Sequence, residues 1–206
     1  MIILASLVSY LIGSIPTAYI FGKILKGIDI REHGSGNVGA TNVFRVLGKK
    51  AGIAVLLLDI LKGLIVVTVV ADLFQMKEIF ERSLLAICVV SGHNWTIFLK
   101  FKGGKGIATS FGVLIGLALK IAVIRPVLLW AIAIWILCFL ITRFVSLSSI
   151  VAAIALPIVM ILTNQSFVIT FLGILFCIFV VIRHRPNIKR LLSGQENRVS
   201  FSRKSG

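Results

Sequence analysis

Acidic side chains are nearly missing from this sequence: 7 Asp and Glu stand against 22 Lys and Arg in 206 residues, and only 14% of the chain is charged. That excludes an ordinary soluble domain, where roughly a quarter of residues carry charge. Cysteine is as scarce. Cys88, Cys138 and Cys177 all fall inside apolar runs, and an odd number of thiols in such places gives a disulfide framework no support. The three histidines lack metal-ligand spacing with cysteines or carboxylates, so no metal and no cofactor is expected. Internal repeats, low-complexity tracts and long linkers are also wanting, and residues 1–206 are expected to form one domain.

What is present is apolar. Hydrophobic residues make up 58% of the chain and the mean hydropathy is +1.07, which places the protein in a bilayer. Apolar runs occupy 2–22, 52–71, 83–99, 107–124, 127–141, 149–163 and 167–182. The expected fold is therefore all-α, a polytopic integral membrane bundle of about seven transmembrane helices, the 107–141 pair being the least distinct. The first run lacks a basic leader and an A-x-A-like exit and carries Pro16, so it is expected to stay as a span rather than be cleaved. Alternate loops at 23–50, 100–106, 142–148 and 183–206 hold 17 of the 22 basic residues, which puts the amino terminus outside and the carboxyl terminus in the cytoplasm. The net charge of +15 suits attraction to anionic headgroups, with a basic juxtamembrane tail over 183–206. Nucleic acid is not an expected partner, because the basic residues are split among short loops without interleaved aromatics.

Three polar stretches lie in those basic loops. HGSGNVGATN, residues 33–42, contains a literal G-x-G-x-x-G, but the strand and βαβ context of a dinucleotide fingerprint are missing. Its glycines and amides still suit an anion, while a flexible turn between two spans is the plainer alternative. GHNWTIFLKFKGGKG, residues 92–106, fails as a nucleotide P-loop, since Leu99 stands where a glycine is required and Gly106 where Ser or Thr is required. Lys100 and Lys102 read as interfacial anchors; Lys105, bracketed by glycines, has room to approach a phosphate. His93 is equally a packing residue or a support for a site. HRPNIKRLLSGQE, residues 184–196, reads as a short interfacial helix, with His184 and Asn187 one turn apart. Ser146 and Ser148 in TRFVSLSS offer hydroxyls, although serines in membrane helices often bond their own backbone. Asp59 and Lys62, spaced i, i+3 inside an apolar run, are expected to form a structural ion pair rather than to act directly in catalysis.

Taken together, SGNVGATN, GHNWTIFLKFKGGKG and HRPNIKRLLSGQE, in this order on one predicted face, resemble the three cytoplasmic motifs of the bacterial acyl-phosphate:glycerol-3-phosphate acyltransferases, and DILKG at 59–63 and RFVSLSS at 143–149 add to the likeness. The resemblance implies transfer of a fatty acyl group from acyl phosphate to the 1-hydroxyl of glycerol 3-phosphate, giving lysophosphatidic acid and phosphate, at the cytoplasmic side of a bacterial plasma membrane. The partners implied are those two substrates and the lipid bilayer. A transporter of a phosphate-bearing solute is the rival reading, weakened by the one-sided placement of the motifs and the lack of an inverted repeat.

An H-x-x-x-x-D pair is absent, the fifth residues after His33, His93 and His184 being Val38, Phe98 and Lys189, and there is no G-x-S-x-G turn. Direct attack on the mixed anhydride is then the simplest chemistry, with phosphate, whose monoester second pKa is roughly 6, as leaving group. On this reading Ser35, Gly36, Asn37, Gly39, Thr41, Asn42, Gly103 and Gly104 bind the acyl phosphate, partly through backbone N–H groups around Ser35–Asn37 and Gly103–Gly104. Arg45, Lys105, Ser146, Ser148, His184 and Asn187 bind glycerol 3-phosphate. Ser35, Lys105, His184 and Asn187 are the candidate catalytic residues, with either His184 or the substrate's own phosphate accepting the proton. His93, Glu196, Asp59 and Lys62 support them.

Overall fold

The computed structural model describes residues 1–199. Every one of the seven apolar runs is helical, and no strand occurs among the described residues. The chain divides into two compact units, Met1–Arg125 and a second beginning at Pro126.

The first unit opens with α1 (Ile2–Ser14) and α2 (Thr17–Lys26), separated at Ile15 and Pro16. Proline cannot donate to the preceding turn, so the helix breaks there. After a 3-10 turn at Ile30–Glu32 come α3 (Ala40–Val46) and α4 (Lys49–Ile65), the latter running through a π segment, Val66–Val70, into a final turn, α5 (Ala71–Leu73). α6 (Ile79–Asn94) starts on a capping box in which Glu78 and Glu81 serve each other's backbone, and α7 (Ile107–Lys120) follows the second polar stretch. Helices pair here by backbone approach. A Cβ on Gly13 would stand 2.1 Å from the Val89 carbonyl oxygen, and one on Gly92 2.2 Å from that of Tyr10, which locks α1 against α6. At the α4–α7 crossing, a Cβ on Gly63 or Gly112 would stand 2.1 Å from the Thr109 carbonyl oxygen or 1.9 Å from that of Ile60. Small residues are what membrane helices use where lipid and side chain are equally apolar and only close packing discriminates.

The π segment has a visible cause at its far end. The Arg82 guanidinium, itself buried, donates to the Val67 carbonyl at 2.6 Å and to Asp72 at 2.6 Å, while Lys120 pairs with the other oxygen of Asp72. Thr68 donates to Leu64 within the same stretch at 2.7 Å. A widened turn leaves carbonyls without intrahelical partners, and these donors fill that need.

In the second unit α8 (Arg125–Thr142), α9 (Val145–Leu162) and α10 (Phe167–Arg183) are followed by the short α11 (Arg185–Leu192), bent by 61° from α10. Pro186 sits in the first turn of α11, where its missing N–H costs nothing. Trp135 on α8 donates to Ser149 on α9 at 3.2 Å.

Among the described residues, four stretches are long and apolar enough to cross a membrane, Ile2–Lys26, Lys49–Leu73, Ala122–Thr142 and Val145–Leu162, or five if the bent pair α10 and α11 is one span. α7, with 14 residues, would reach only about 21 Å of the roughly 30 Å of hydrocarbon. Large apolar side chains such as Leu57, Phe80, Leu140, Ile158 and Phe171 are exposed along the helices, as lipid contact requires.

Candidate active site

The first polar loop is shaped by its own side chains. Asp29 caps the 3-10 turn through the Arg31 N–H at 3.0 Å and takes the Arg31 guanidinium at 2.6 Å. That hydrogen bond holds the Asp29 carboxyl down at a pKa of about 2. Asn42 on α3, fully buried, reaches back into the loop: its Oδ1 accepts from the Ser35 N–H at 2.8 Å, and its Nδ2 donates to the carbonyls of Ile30 and His33 at 3.1 and 3.0 Å. The Gly36 N–H donates to the His33 carbonyl at 3.1 Å, a turn made possible by a φ of 62° at Gly34. Three hydrogen bonds on one amide make Asn42 the organiser of this loop, not a ligand for an anion, which corrects its assignment to acyl-phosphate binding.

The second polar stretch is anchored the same way. Thr96 donates to the Ser14 carbonyl at 2.5 Å, and Tyr10 to the Trp95 carbonyl at 2.7 Å, so the turn after α6 is tied to the end of α1. Gly103 and Gly104 return to the carboxyl end of α6, their N–H groups donating to the Asn94 and His93 carbonyls at 3.2 and 3.0 Å. They thereby satisfy carbonyls that a helix end leaves open. The expectation that N–H groups of Ser35, Gly36, Gly103 and Gly104 would face an oxyanion is corrected accordingly: all four are spent on folding the loops. What these loops present outward is side chains, with Ser35, Thr41 and Arg45 exposed and Asn37 and Lys105 half-buried.

The two loops meet. Val38 and Leu99, one from each, share an apolar cluster with Ala18, Ile30, Val43 and Val55. Burying side chains of this size stabilises by about 1.5–3 kcal/mol each, enough to fix the loops in place. On the polar side, Gly104 fits between the Val38 carbonyl oxygen and the His93 ring. A small pocket opens beside this junction, lined by Val38, Gly103, Gly104 and His93 and by Ser14, Pro16, Thr17, Thr96 and Lys62.

Behind the pocket lies the charged pair. Lys62 Nζ is 2.9 Å from Asp59 Oδ1 and donates to the Ile15 carbonyl at 3.3 Å, where Pro16 has broken the helix. Thr17 donates to the same Asp59 oxygen at 2.7 Å, and His93 Nδ1 stands 3.6 Å from it. Sequence reasoning found Asp59 and Lys62 but missed Ser14, Thr17 and Thr96; the available signal was the run of hydroxyls around a proline inside an apolar segment.

In the second unit the third stretch closes on Glu196. Its Oε1 accepts from Ser146 at 2.7 Å and from Asn187 at 2.7 Å, and its Oε2 from Arg190 at 2.7 Å. Burial opposes the charge on Glu196, but the three hydrogen bonds outweigh it and hold the carboxyl below the usual glutamate range. A lowered carboxyl adds stability above its unfolded pKa, roughly 4.3, and loses it as pH falls through the folded value. Glu196→Gln is thus expected to lower the thermal transition most at neutral pH, with the gap to the parent protein closing in acid; a gap independent of pH would refute this role. His184 and Asn187 are both buried, and His184 Nδ1 lies 2.9 Å from the Val180 carbonyl. A ring nitrogen facing a carbonyl must carry the proton, which leaves Nε2 as the basic nitrogen of the neutral ring. Ser148 donates its hydroxyl to Phe144 in its own helix at 2.9 Å. Its hydroxyl is thus turned toward its own helix backbone.

Known proteins are similar to this chain along nearly its whole length. The family described as Glycerol-3-phosphate acyltransferase matches residues 3–194. Proteins named glycerol-3-phosphate acyltransferase from Chlorobaculum tepidum and Carboxydothermus hydrogenoformans are 44% and 43% identical, the first aligned over 96% of both chains and the second over 100% of both. Crystal structures of PlsY (YgiH), an integral membrane glycerol 3-phosphate acyltransferase, superpose with TM-scores of 0.87 for the glycerol 3-phosphate form and 0.84 for the lysophosphatidic acid form. They are 38% and 37% identical and cover 97% of this chain, which spans 96% and 95% of theirs. The chain belongs to the glycerol-3-phosphate acyltransferase family.

Proposed function

We propose that this acyltransferase takes its acyl group from an acyl phosphate and places it on the 1-hydroxyl of glycerol 3-phosphate. The hydroxyl oxygen attacks the acyl carbonyl carbon, the carbon–oxygen bond to phosphate breaks, and the products are lysophosphatidic acid and inorganic phosphate. The observation that carries this reading is the junction of the first two motif loops at Val38, Gly104 and His93, beside a pocket with a lysine in its wall, in a chain of this family. Both substrates are anionic and one has a long tail, so a greasy protein with basic loops along its polar edge is the matching surface. Transport of a phosphate-bearing solute is not favoured, because the full-length relatives are named acyltransferases.

Ser35, through its hydroxyl, and Asn37, through its amide, contact the acyl phosphate, with Gly39 and Thr41 completing the loop. Arg45 and Lys105 bind the phosphate of glycerol 3-phosphate. His184, with Nε2 basic, and Asn187 act on the acceptor hydroxyl, the substrate's own phosphate being the other candidate proton acceptor. Ser146 and Glu196 hold Asn187 in place. Seven spans with the amino terminus outside and the motif loops in the cytoplasm follow from the one-sided distribution of Lys and Arg.

The test is an assay of the purified chain with acyl phosphate and with acyl thioesters. Product from acyl phosphate alone supports the proposal, and a strict thioester requirement overturns it. In the same assay Lys105→Ala and Asn187→Ala are each expected to reduce turnover by about a hundredfold or more while the protein stays folded. Parental turnover in either variant removes that residue from the site.

A further inference from the structure

We propose that His93 is a positioning residue for the acceptor substrate, wedged between the buried Asp59–Lys62 pair and the Gly103–Gly104 turn so that it sets where Lys105 stands. The inference rests on the reading above that Lys105 binds the phosphate of glycerol 3-phosphate.

The pair's isolation from water is the first reason. Asp59 and Lys62 are 1% and 6% exposed, inside the stretch Lys49–Leu73. Two charges at such depth cost more than apolar residues of the same volume, so packing α4 does not call for them. Their contacts run outward from α4: Thr17 at the start of α2, the Ile15 carbonyl at the break, and the His93 ring at the end of α6. Among these, only His93 also touches a motif loop along a second edge.

The geometry of the ring is the second reason. One edge, through Nδ1, faces Asp59 Oδ1 at 3.6 Å. The opposite edge is against the glycine turn, where a Cβ on Gly104 would lie 2.2 Å from Nε2 and 2.8 Å from the Val38 carbonyl oxygen. The main chain of His93 holds the same turn, its carbonyl accepting the Gly104 N–H at 3.0 Å. Gly104 is therefore gripped by backbone and ring of a single residue, with the first loop closing the third side. Lys105 comes next in the chain, and a ring that shifts or shrinks moves it. Direct proton transfer by His93 does not fit this arrangement, because Nε2 is covered by the turn and the residue is 7% exposed.

The experiment is steady-state kinetics on the purified full chain, varying glycerol 3-phosphate at saturating acyl phosphate and then the reverse. His93→Ala and the shorter amide His93→Asn are expected to raise KM for glycerol 3-phosphate about tenfold or more, any fall in kcat accompanying that rise, with KM for acyl phosphate within about twofold of the parent. His93→Gln, whose amide spans nearly the length of the ring, is expected to recover most of the loss. In Lys105→Ala, which itself raises that KM, adding His93→Ala is expected to cost nothing further, because the two act through one contact. Should His93→Ala fail to yield folded protein, His93→Asn carries the comparison. The inference is overturned by a defect in kcat alone, by a defect confined to acyl phosphate, or by additive losses in the double variant. If Lys105→Ala leaves KM for glycerol 3-phosphate unchanged, the assignment of the turn to the acceptor fails instead.

Discussion

Gly104→Ala is expected to lower turnover by about a hundredfold or more while leaving the helices folded. The added methyl has nowhere to go: it would stand 2.2 Å from His93 Nε2 and 2.8 Å from the Val38 carbonyl oxygen. The ring cannot retreat, since Asp59 is on its other edge, and Val38 is backbone, fixed by the apolar cluster it shares with Leu99. The turn itself has to move, and Lys105 with it. Gly27→Ala is the matched control. Gly27 has a φ of 66° and ends α2, but nothing lies within 4 Å of its would-be Cβ. It should show only the conformational cost of a left-handed alanine, roughly 1–2 kcal/mol, with activity retained. Equal loss of turnover in both variants would show that the effect does not come from the space beside His93.

Asp59→Ala is expected to cost about 3–5 kcal/mol of stability, because it strands the buried Lys62 ammonium without its counter-charge. Among the described residues, the Ile15 carbonyl, 3.3 Å away, is the hydrogen-bond acceptor left to that ammonium once the carboxylate is gone. With native stabilities commonly 5–15 kcal/mol, such a loss should appear as a sharp drop in thermal transition and in yield of folded protein. Asp59→Ala combined with Lys62→Met removes both charges and should regain most of the stability. The double variant should still fall short in acceptor binding, since the His93 ring has lost its neighbour. An Asp59→Ala protein as heat-stable as the parent would mean that Lys62 swings out to the headgroups and that the pair is not needed for folding.

Much of the fold could be read from periodicity and composition, because in lipid the polarity of a segment and its secondary structure are nearly the same question. All seven apolar runs became helices, and the i, i+3 spacing of Asp59 and Lys62 gave the observed ion pair. The three polar stretches were legible in the sequence, but the hydrogen-bond partners of their residues were not. Ser35 and Gly36 looked like free N–H donors until Asn42 and the His33 carbonyl took them, and Ser148 looked available until its hydroxyl turned back to Phe144. Partners 42, 50 and 82 residues apart, Thr17 with Asp59, Ser146 with Glu196 and Thr96 with Ser14, leave no local pattern to find. Glycines misled for a similar reason. Those at 103 and 104 read as making room for a ligand, whereas they make room for His93 and for the end of α6.

The widened turn at Val66–Val70 has an evolutionary corollary. Dropping one residue there would restore ordinary helical pitch and leave the downstream face in place, whereas a residue lost from the regular part of Lys49–Ile65 would swing everything downstream by about 100°, carrying Asp72 away from Arg82 and Lys120. The exposed loops can lengthen or shorten by single codons, but within this helix only the widened turn can do so without breaking the ionic clasp, so single-residue differences in length across species should fall at that turn and not in the regular turns before it.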